Sequence, residues 1–136
     1  MKEAVETYRY NFIIKKGFDE KVETRDVRQQ SVKEELYSYV KNIDIDVIVG
    51  GFPCQGFSMA GKRVIDDPRN SLYLDMLEIV NKIRPKVIVM ENVEGILTML
   101  RGQVVEKIIS DYKNIGYNVS YKLLNSSASA CEFVVD

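Results

Sequence analysis

The 136-residue sequence contains no histidine, only two cysteines and only three prolines. The absence of histidine excludes Ser-His-Asp triads, histidine general bases and histidine metal ligands. Cys54 and Cys131 lie far apart in the chain, and nothing else in the sequence suggests a secreted scaffold held by disulfides. The sequence therefore favours a reducing cytoplasm in which the cysteines stay free.

Long apolar runs and an excess of charge of either sign are also absent. No run approaches the ~18 residues of a membrane span, and the first residues contain no apolar signal-peptide core. The 19 basic and 20 acidic side chains give a net charge of −1. This balance argues against a nucleic-acid-binding domain that works by bulk charge, but it leaves room for a local basic loop. With 46% hydrophobic residues, the composition is that of an ordinary globular domain.

Helical apolar spacing recurs in four segments. Ser31-Val32-Lys33-Glu34 fits a capping box, which predicts the start of one helix. Asp67-Pro68 is predicted to open another, because proline suits the first helical turn, and Pro85 is predicted to stop it. Gly116 is predicted to end the last helix. The four helices are expected over about residues 4–12, 31–40, 67–83 and 105–115.

Strand-like segments alternate with these helices. Asp46–Phe52 and Lys86–Met90 are short, nearly continuous apolar runs, which predict strands buried on both faces of a parallel sheet. Weaker strands are predicted over Lys21–Val27 and Tyr117–Leu123. The alternation predicts an α/β domain with a doubly wound, mostly parallel sheet. Such domains normally begin with a strand, so the first part of the domain is expected to be missing.

Both buried strands end in unusual sequences. The first leads into Gly-Gly-Phe-Pro-Cys-Gln-Gly-Phe-Ser, and the second leads into Glu-Asn-Val. Ligands of open parallel sheets bind beyond the carboxyl ends of the strands, so Cys54 and Glu91 are expected to face one crevice if the strands are neighbours. There a thiolate can attack an electrophilic carbon while a carboxyl group protonates the substrate. Alone, each residue would more ordinarily be a small buried cysteine or part of a solvated turn.

At these residues the sequence resembles the DNA cytosine-5 methyltransferases, especially the bacterial modification enzymes. Phe52-Pro53-Cys54-Gln55 is similar to the family's nucleophile motif, residues 57–62 resemble the start of its mobile catalytic loop, and Glu91-Asn92-Val93 matches its E-N-V motif. The resemblance covers about residues 4–127. It implies a Rossmann-like S-adenosylmethionine-dependent methyltransferase fold. The implied reaction is methyl transfer from S-adenosylmethionine to C5 of cytosine in double-stranded DNA, within a restriction–modification system.

The resemblance also implies a role for individual residues. Cys54 would attack C6 of a cytosine flipped out of the duplex, and Glu91 would bind its Watson–Crick edge and protonate N3. Burial of Glu91 against the apolar sheet end is expected to favour the protonated carboxyl group. The residues implied at the cofactor are Asp26, Val27, Pro53 and Leu72. Those implied at the flipped nucleotide are Phe52, Gln55, Ser58 and Asn92.

Three of these assignments have an ordinary alternative. Asp26 is equally well interpreted as a loop carboxylate, and Leu72 as a plain core residue. Asn92 is expected to support the E-N-V turn rather than to act chemically. Cys131 has no counterpart in the family, so it is interpreted as incidental.

The sequence departs from the family pattern at both ends. No glycine-rich strand and loop precede Met1, and residues 126–133 stand where the family has its Gln-x-Arg-x-Arg stretch. Residues 1–136 are therefore expected to form a partial catalytic domain without a target-recognition domain. The open alternatives are a fragment inactive alone, one subunit of a split methyltransferase completed by a second chain, and a non-catalytic α/β binding module. The expected location is the bacterial cytoplasm, with nucleoid association on DNA, and neither a metal nor a membrane is an expected partner.

Overall fold

The computed structural model describes residues 2–17, 22–52 and 71–124. Helices and strands alternate from residue 30 onward, as predicted, but no strand lies between the first two helices within these ranges. In chain order the main elements are α1 (Lys2–Tyr8, continued by a π-helix over Arg9–Ile14), α2 (Gln30–Val40), β1 (Val47–Gly50), α3 (Ser71–Ile83), β2 (Val87–Met90) and α4 (Gln103–Asn114). Two short 3-10 helices, Glu94–Leu97 and Met99–Gly102, connect β2 to α4. No helix within these ranges is long and apolar enough to cross a membrane.

The two strands form a parallel pair. Val47 lies opposite Val87, and the register runs to Gly50 opposite Met90. The carboxyl ends of both strands therefore meet at one edge, with α3 as the connection between them. The α/β class and the parallel pairing of these two segments are confirmed.

The core is formed by the helix faces that the apolar spacing predicted. On α3, Ile79 and Val80 are buried, and on α4 Val104, Ile108 and Tyr112 are buried at intervals of four residues. Ile88 is the fully buried residue of β2. The buried cluster consists of Phe52, Tyr73, Val80, Ile88, Ile96, Val104, Ile108, Tyr112 and Tyr117. This cluster fixes α3 and α4 against the strand ends.

Helix α2 forms as predicted, but its start differs from the capping box. The N-cap is Gln29, and no side chain caps the helix. Ser31 therefore lies inside the first turn, where its hydroxyl is past the cap position. Val32 is buried as its spacing predicted, and Lys33 is buried beside it with only 4% of its surface exposed. Lys33 Nζ lies 2.7 Å from Asp75 Oδ1 and also pairs with Glu78, so the ammonium group joins α2 to α3.

The prediction that β1 is buried on both faces is wrong. Val47 is 49% exposed and Val49 is 73% exposed. Only one face of β1 packs inward, because Ile48 alternates with these valines and packs against the buried cluster. The prediction was made from the apolar character of the run, which cannot distinguish a strand covered on one face from a strand covered on both.

The two weaker strands are also corrected where the structure describes them. Residues 22–27 are irregular because the Glu23 and Asp26 carboxylates accept hydrogen bonds from nearby backbone amides, which competes with a ladder. Residues 117–124 form no ladder within the described structure. Tyr117 is instead fixed by a 2.6 Å hydrogen bond from its hydroxyl to the Pro85 carbonyl. Residues 53–70, which include the predicted loop and the predicted helix start at Asp67, lie outside the described residues.

Loss of the hydroxyl group is expected to affect the free energy of unfolding differently at two buried tyrosines. The Tyr112 hydroxyl has no hydrogen-bond partner among the described residues, and its burial raises the pKa of Tyr112. Tyr112→Phe should therefore leave the free energy of unfolding unchanged or raise it by up to about 1 kcal/mol, whereas Tyr117→Phe should lower it by about 1 kcal/mol. Urea unfolding of both variants measures the difference. Equal losses in the two variants would contradict the prediction.

Candidate active site

The candidate site lies where β1 and β2 end side by side. Glu91 follows β2, and its backbone N–H donates to the Gly50 carbonyl at 3.3 Å, one position beyond the last strand pair. The carboxylate of Glu91 turns toward the end of β1. A Cβ atom added at Gly51 would lie 3.5 Å from Glu91 Oε2. The carboxyl group therefore lies beside the backbone that continues, three residues later in the chain, to Cys54.

Asn92 connects the same two strand ends through its side chain. Its Nδ2 donates to the Phe52 carbonyl at 2.9 Å, and its Oδ1 accepts from the Val93 N–H at 2.9 Å. The Phe52 ring is buried and packs against Tyr73 of α3, with ring centroids 6.0 Å apart. Phe52 is thus held through both its ring and its carbonyl.

The expectation that Glu91 is buried is wrong for the described structure. Its side chain is exposed. The residue lies past the last strand pair, and its neighbour there is Gly51, which has no side chain to exclude water from the carboxylate. Apolar shielding of the carboxyl group therefore does not come from these two strand ends.

A cavity of about 430 Å³ lies between α2, β1 and α3. Val27 and Leu72, both implied at the cofactor, line it together with Gly50, Gly51 and Phe52. The segments that carry Val27 and Leu72 thus meet the end of β1 at one cavity. Leu72 also packs against the buried cluster, so it is both a core residue and a wall of the cavity.

Asp26 lies beside Val27 and is held by Arg28. Its carboxylate is 2.5 Å from Arg28 Nη2 and also accepts from the Arg28 backbone N–H at 2.9 Å. Hydrogen bonds from the Arg28 side chain, and then from its backbone, lower the pKa of Asp26 to about 2. Asp26 is therefore a carboxylate near neutral pH. Both of its oxygens are engaged by Arg28: Oδ1 accepts from the backbone N–H and from Nε, and Oδ2 accepts from Nε and from Nη2.

One contributor to the cavity was missed at the sequence level. A Cβ atom added at Gly50 would lie 2.9 Å from the Met76 sulfur, so the thioether of α3 fills the space of a side chain at the end of β1. The signal was present as a glycine closing an apolar strand. The sequence places Gly50 inside the predicted strand Asp46–Phe52 but does not indicate the facing methionine, which lies 26 positions further along the chain.

Pro53, Cys54, Gln55, Ser58 and Cys131 lie outside the described residues. Within residues 2–17, 22–52 and 71–124, no group of three or more Cys, Asp or Glu side chains is arranged to hold a metal ion.

The sequence model of the C-5 cytosine-specific DNA methylase family matches residues 1–130. The chain belongs to this family, which confirms the family predicted from the two motifs.

Individual relatives agree with this family. The chain is 42% identical over 128 residues to the type II methyltransferase M.BsuRI of Bacillus subtilis, an alignment that covers 92% of this chain and 26% of that protein. It is 38% identical over 125 residues to the type II methyltransferase M1.HphI of Haemophilus parahaemolyticus, covering 90% of this chain and 32% of that protein. The chain thus spans between a quarter and a third of the length of these relatives.

Proposed function

We propose that this chain carries the catalytic centre of a bacterial DNA cytosine-5 methyltransferase of a restriction–modification system. The observation that carries the proposal is the parallel pairing of β1 and β2, which brings the Glu91 carboxylate beside Gly51. Cys54 follows Gly51 by three positions in the sequence. A nucleophile and a carboxyl group on adjacent strand ends are the arrangement that addition to a cytosine ring requires.

In the proposed reaction the Cys54 thiolate forms a bond with C6 of a cytosine flipped out of double-stranded DNA, while Glu91 donates a proton to N3. C5 thereby becomes nucleophilic. S-adenosylmethionine, when bound, supplies the methyl group that C5 takes. Loss of the C5 proton to a base, departure of Cys54 as thiolate and return of the N3 proton to Glu91 then release 5-methylcytosine. Cysteine suits both steps because its thiolate is a strong nucleophile and a competent leaving group.

The cavity between α2, β1 and α3 fits the cofactor role. Its volume of about 430 Å³ lies within the range of roughly 300–1,000 Å³ for small-molecule sites. Its lining by Val27, Phe52 and Leu72 suits the faces of an adenine ring. Asp26, next to Val27, would accept from the adenine amino group in place of one of its hydrogen bonds from Arg28. Pro53 is the fourth residue that we assign to this site.

The DNA side of the site is assigned to residues of both strand ends. We assign Phe52, Gln55, Ser58 and Asn92 to the flipped nucleotide and its phosphates. Residues 1–136 serve in this proposal as part of a catalytic domain, with the target sequence read by other protein elements. A complementary chain is a partner if the activity is divided between two polypeptides.

A trapping experiment tests the proposal. The chain is incubated with S-adenosylmethionine and a mixed-sequence duplex that carries 5-fluorocytosine, whose fluorine blocks the final elimination. Intact-mass analysis should then show a covalent DNA adduct. The Cys54→Ser variant should lose the adduct, and the matched Cys131→Ser variant should keep it. An adduct that survives in Cys54→Ser, or that disappears in Cys131→Ser, would contradict the assignment of the nucleophile.

If the wild-type chain alone forms no adduct, the same reaction is repeated with a family member's complementary part added. An adduct that forms only then would identify the chain as one part of a divided enzyme. Failure in both reactions would count against a catalytic role and in favour of a binding module.

A further inference from the structure

We propose that Asn92 is a positioning residue that ends the pairing of the two strands and sets the width of the crevice between them. Its side-chain amide lies between the Phe52 carbonyl and the Val93 N–H, with 2.9 Å to each group. We call this arrangement the amide bridge. The significance of the crevice rests on the proposed function, but the bridge itself is a separate structural claim.

The strand register shows why the bridge is unusual. In a parallel pair, the carbonyl of one residue accepts from the N–H one position beyond its partner. Gly50 lies opposite Met90, and the Gly50 carbonyl accepts from the Glu91 N–H as this rule requires. Two residues further on, the rule would pair the Phe52 carbonyl with the Val93 N–H. In the structure these are the two groups that the Asn92 side chain separates.

The bridge therefore replaces one direct hydrogen bond by two hydrogen bonds through an inserted amide. The strand ends are held apart by the size of that amide, yet both backbone groups stay satisfied, which a partly buried carbonyl requires. Within the described residues, the bridge is thus the last hydrogen-bonded connection between the two strand ends, with Glu91 next to it and with Cys54 two positions after Phe52 in the sequence.

The chemistry of the bridge selects asparagine at this position. The Val93 N–H needs an acceptor and the Phe52 carbonyl needs a donor, and the asparagine amide provides both on one short side chain. Aspartate of the same size would accept from Val93 but would place a negative oxygen against the Phe52 carbonyl. Alanine would supply neither group and would allow the two strand ends to pair directly.

Hydrogen exchange and thiol alkylation test the inference in a Cys131→Ser background, where Cys54 is the remaining cysteine. Asn92→Asp removes the donor to Phe52 and keeps the acceptor for Val93. We expect it to accelerate exchange of the Glu91 amide by about 2- to 10-fold, the range that loss of one hydrogen bond produces. We also expect a changed rate of Cys54 alkylation by iodoacetamide, with exchange in α4 unchanged. Asn118→Asp makes the same substitution at an exposed position and should change none of these rates.

Asn92→Ala provides a second test, in which amide protection near the bridge is expected to be retained and not lost. If the strand ends can then pair directly, the Val93 amide should stay protected while the Cys54 alkylation rate still departs from that of the parent. Wild-type alkylation in both Asn92 variants would overturn the positioning role, even if exchange near Glu91 changes. Equal loss of protection in α4 would also overturn it, because it would show a general loss of stability. None of these readouts needs methyl transfer, so failure of the trapping experiment leaves them interpretable.

Discussion

Replacement of Glu91 by glutamine is expected to slow adduct formation at Cys54 by a factor of about 10² to 10⁴, the usual contribution of a general acid. Glutamine keeps the length of the side chain and its capacity to hydrogen-bond the cytosine edge, but it has no acidic proton to give to N3. The fold should be unchanged, because the Glu91 side chain is exposed and its strand contact is made by the backbone. The time course of adduct formation with the 5-fluorocytosine duplex, followed by intact mass, measures the effect.

Glu94→Gln is the matched control for this prediction. Glu94 lies three residues after Glu91, is likewise exposed, and begins a 3-10 helix. The control removes the same charge from a position three residues away, so it corrects for a general electrostatic effect on DNA binding. Similar slowing in both variants would show that charge near the DNA, and not proton donation, explains the result.

The largest expected effect on stability is at Lys33. Lys33→Met leaves the Asp75 carboxylate without its ammonium partner, and one Asp75 oxygen is already buried without a hydrogen bond among the described residues. Removing one member of a buried pair typically lowers the free energy of unfolding by about 3–5 kcal/mol. The midpoint of urea unfolding should fall accordingly.

Lys86→Met is the control for this substitution. Lys86 Nζ lies 2.6 Å from Asp46 Oδ1, but both side chains are more than 70% exposed. Exposed pairs contribute about 0–1 kcal/mol, so the midpoint should hardly move. A Lys33→Met variant as stable as Lys86→Met would mean that water or another group satisfies Asp75 in solution.

The contribution of Lys33 should also depend on pH. Burial is the largest single influence and lowers its pKa, but hydrogen bonds to Asp75 and Glu78 outweigh burial and leave the pKa above its ordinary value. A raised pKa in the folded state means that the stabilisation is fully present below the unfolded value, about 10.4, and is lost as pH rises through the folded value. The stability difference between the parent and Lys33→Met should therefore be constant near neutral pH and shrink in strongly alkaline solution.

The spacing of apolar residues predicted those helices and strands whose formation depends on burying one apolar face. The apolar stripes of α3 and α4 and the run around Ile88 were predictable, since each needs only the chain's own spacing. The strand predicted over Tyr117–Leu123 forms no ladder in the described structure, because alternation describes a surface that fits a sheet and does not supply the neighbouring strand. The burial of Lys33 was also unpredictable, since its partners Asp75 and Glu78 lie more than 40 positions away on another helix.

The candidate site was predictable in its location and not in its details. Two strands that end in motifs were enough to bring Glu91 toward the end of β1, because parallel strands share one carboxyl edge. The exposure of Glu91 and the amide bridge of Asn92 depend on where the pairing stops. That point is set by a side chain competing with the backbone for the Phe52 carbonyl, and no pattern of apolar residues encodes it.

The contact between Phe52 and Asn92 joins positions that are 40 residues apart in the chain. Contacts between residues so far apart in the chain form late in folding. The entropy cost of closing the intervening loop must be met before such a contact can stabilise the folded state. During synthesis, β1 therefore leaves the ribosome well before the strand that completes its edge, and no crevice exists until α3 and β2 have followed. Assembly of the candidate site is coupled to completion of this part of the fold, so a nascent chain cannot bring Glu91 beside the end of β1 ahead of time.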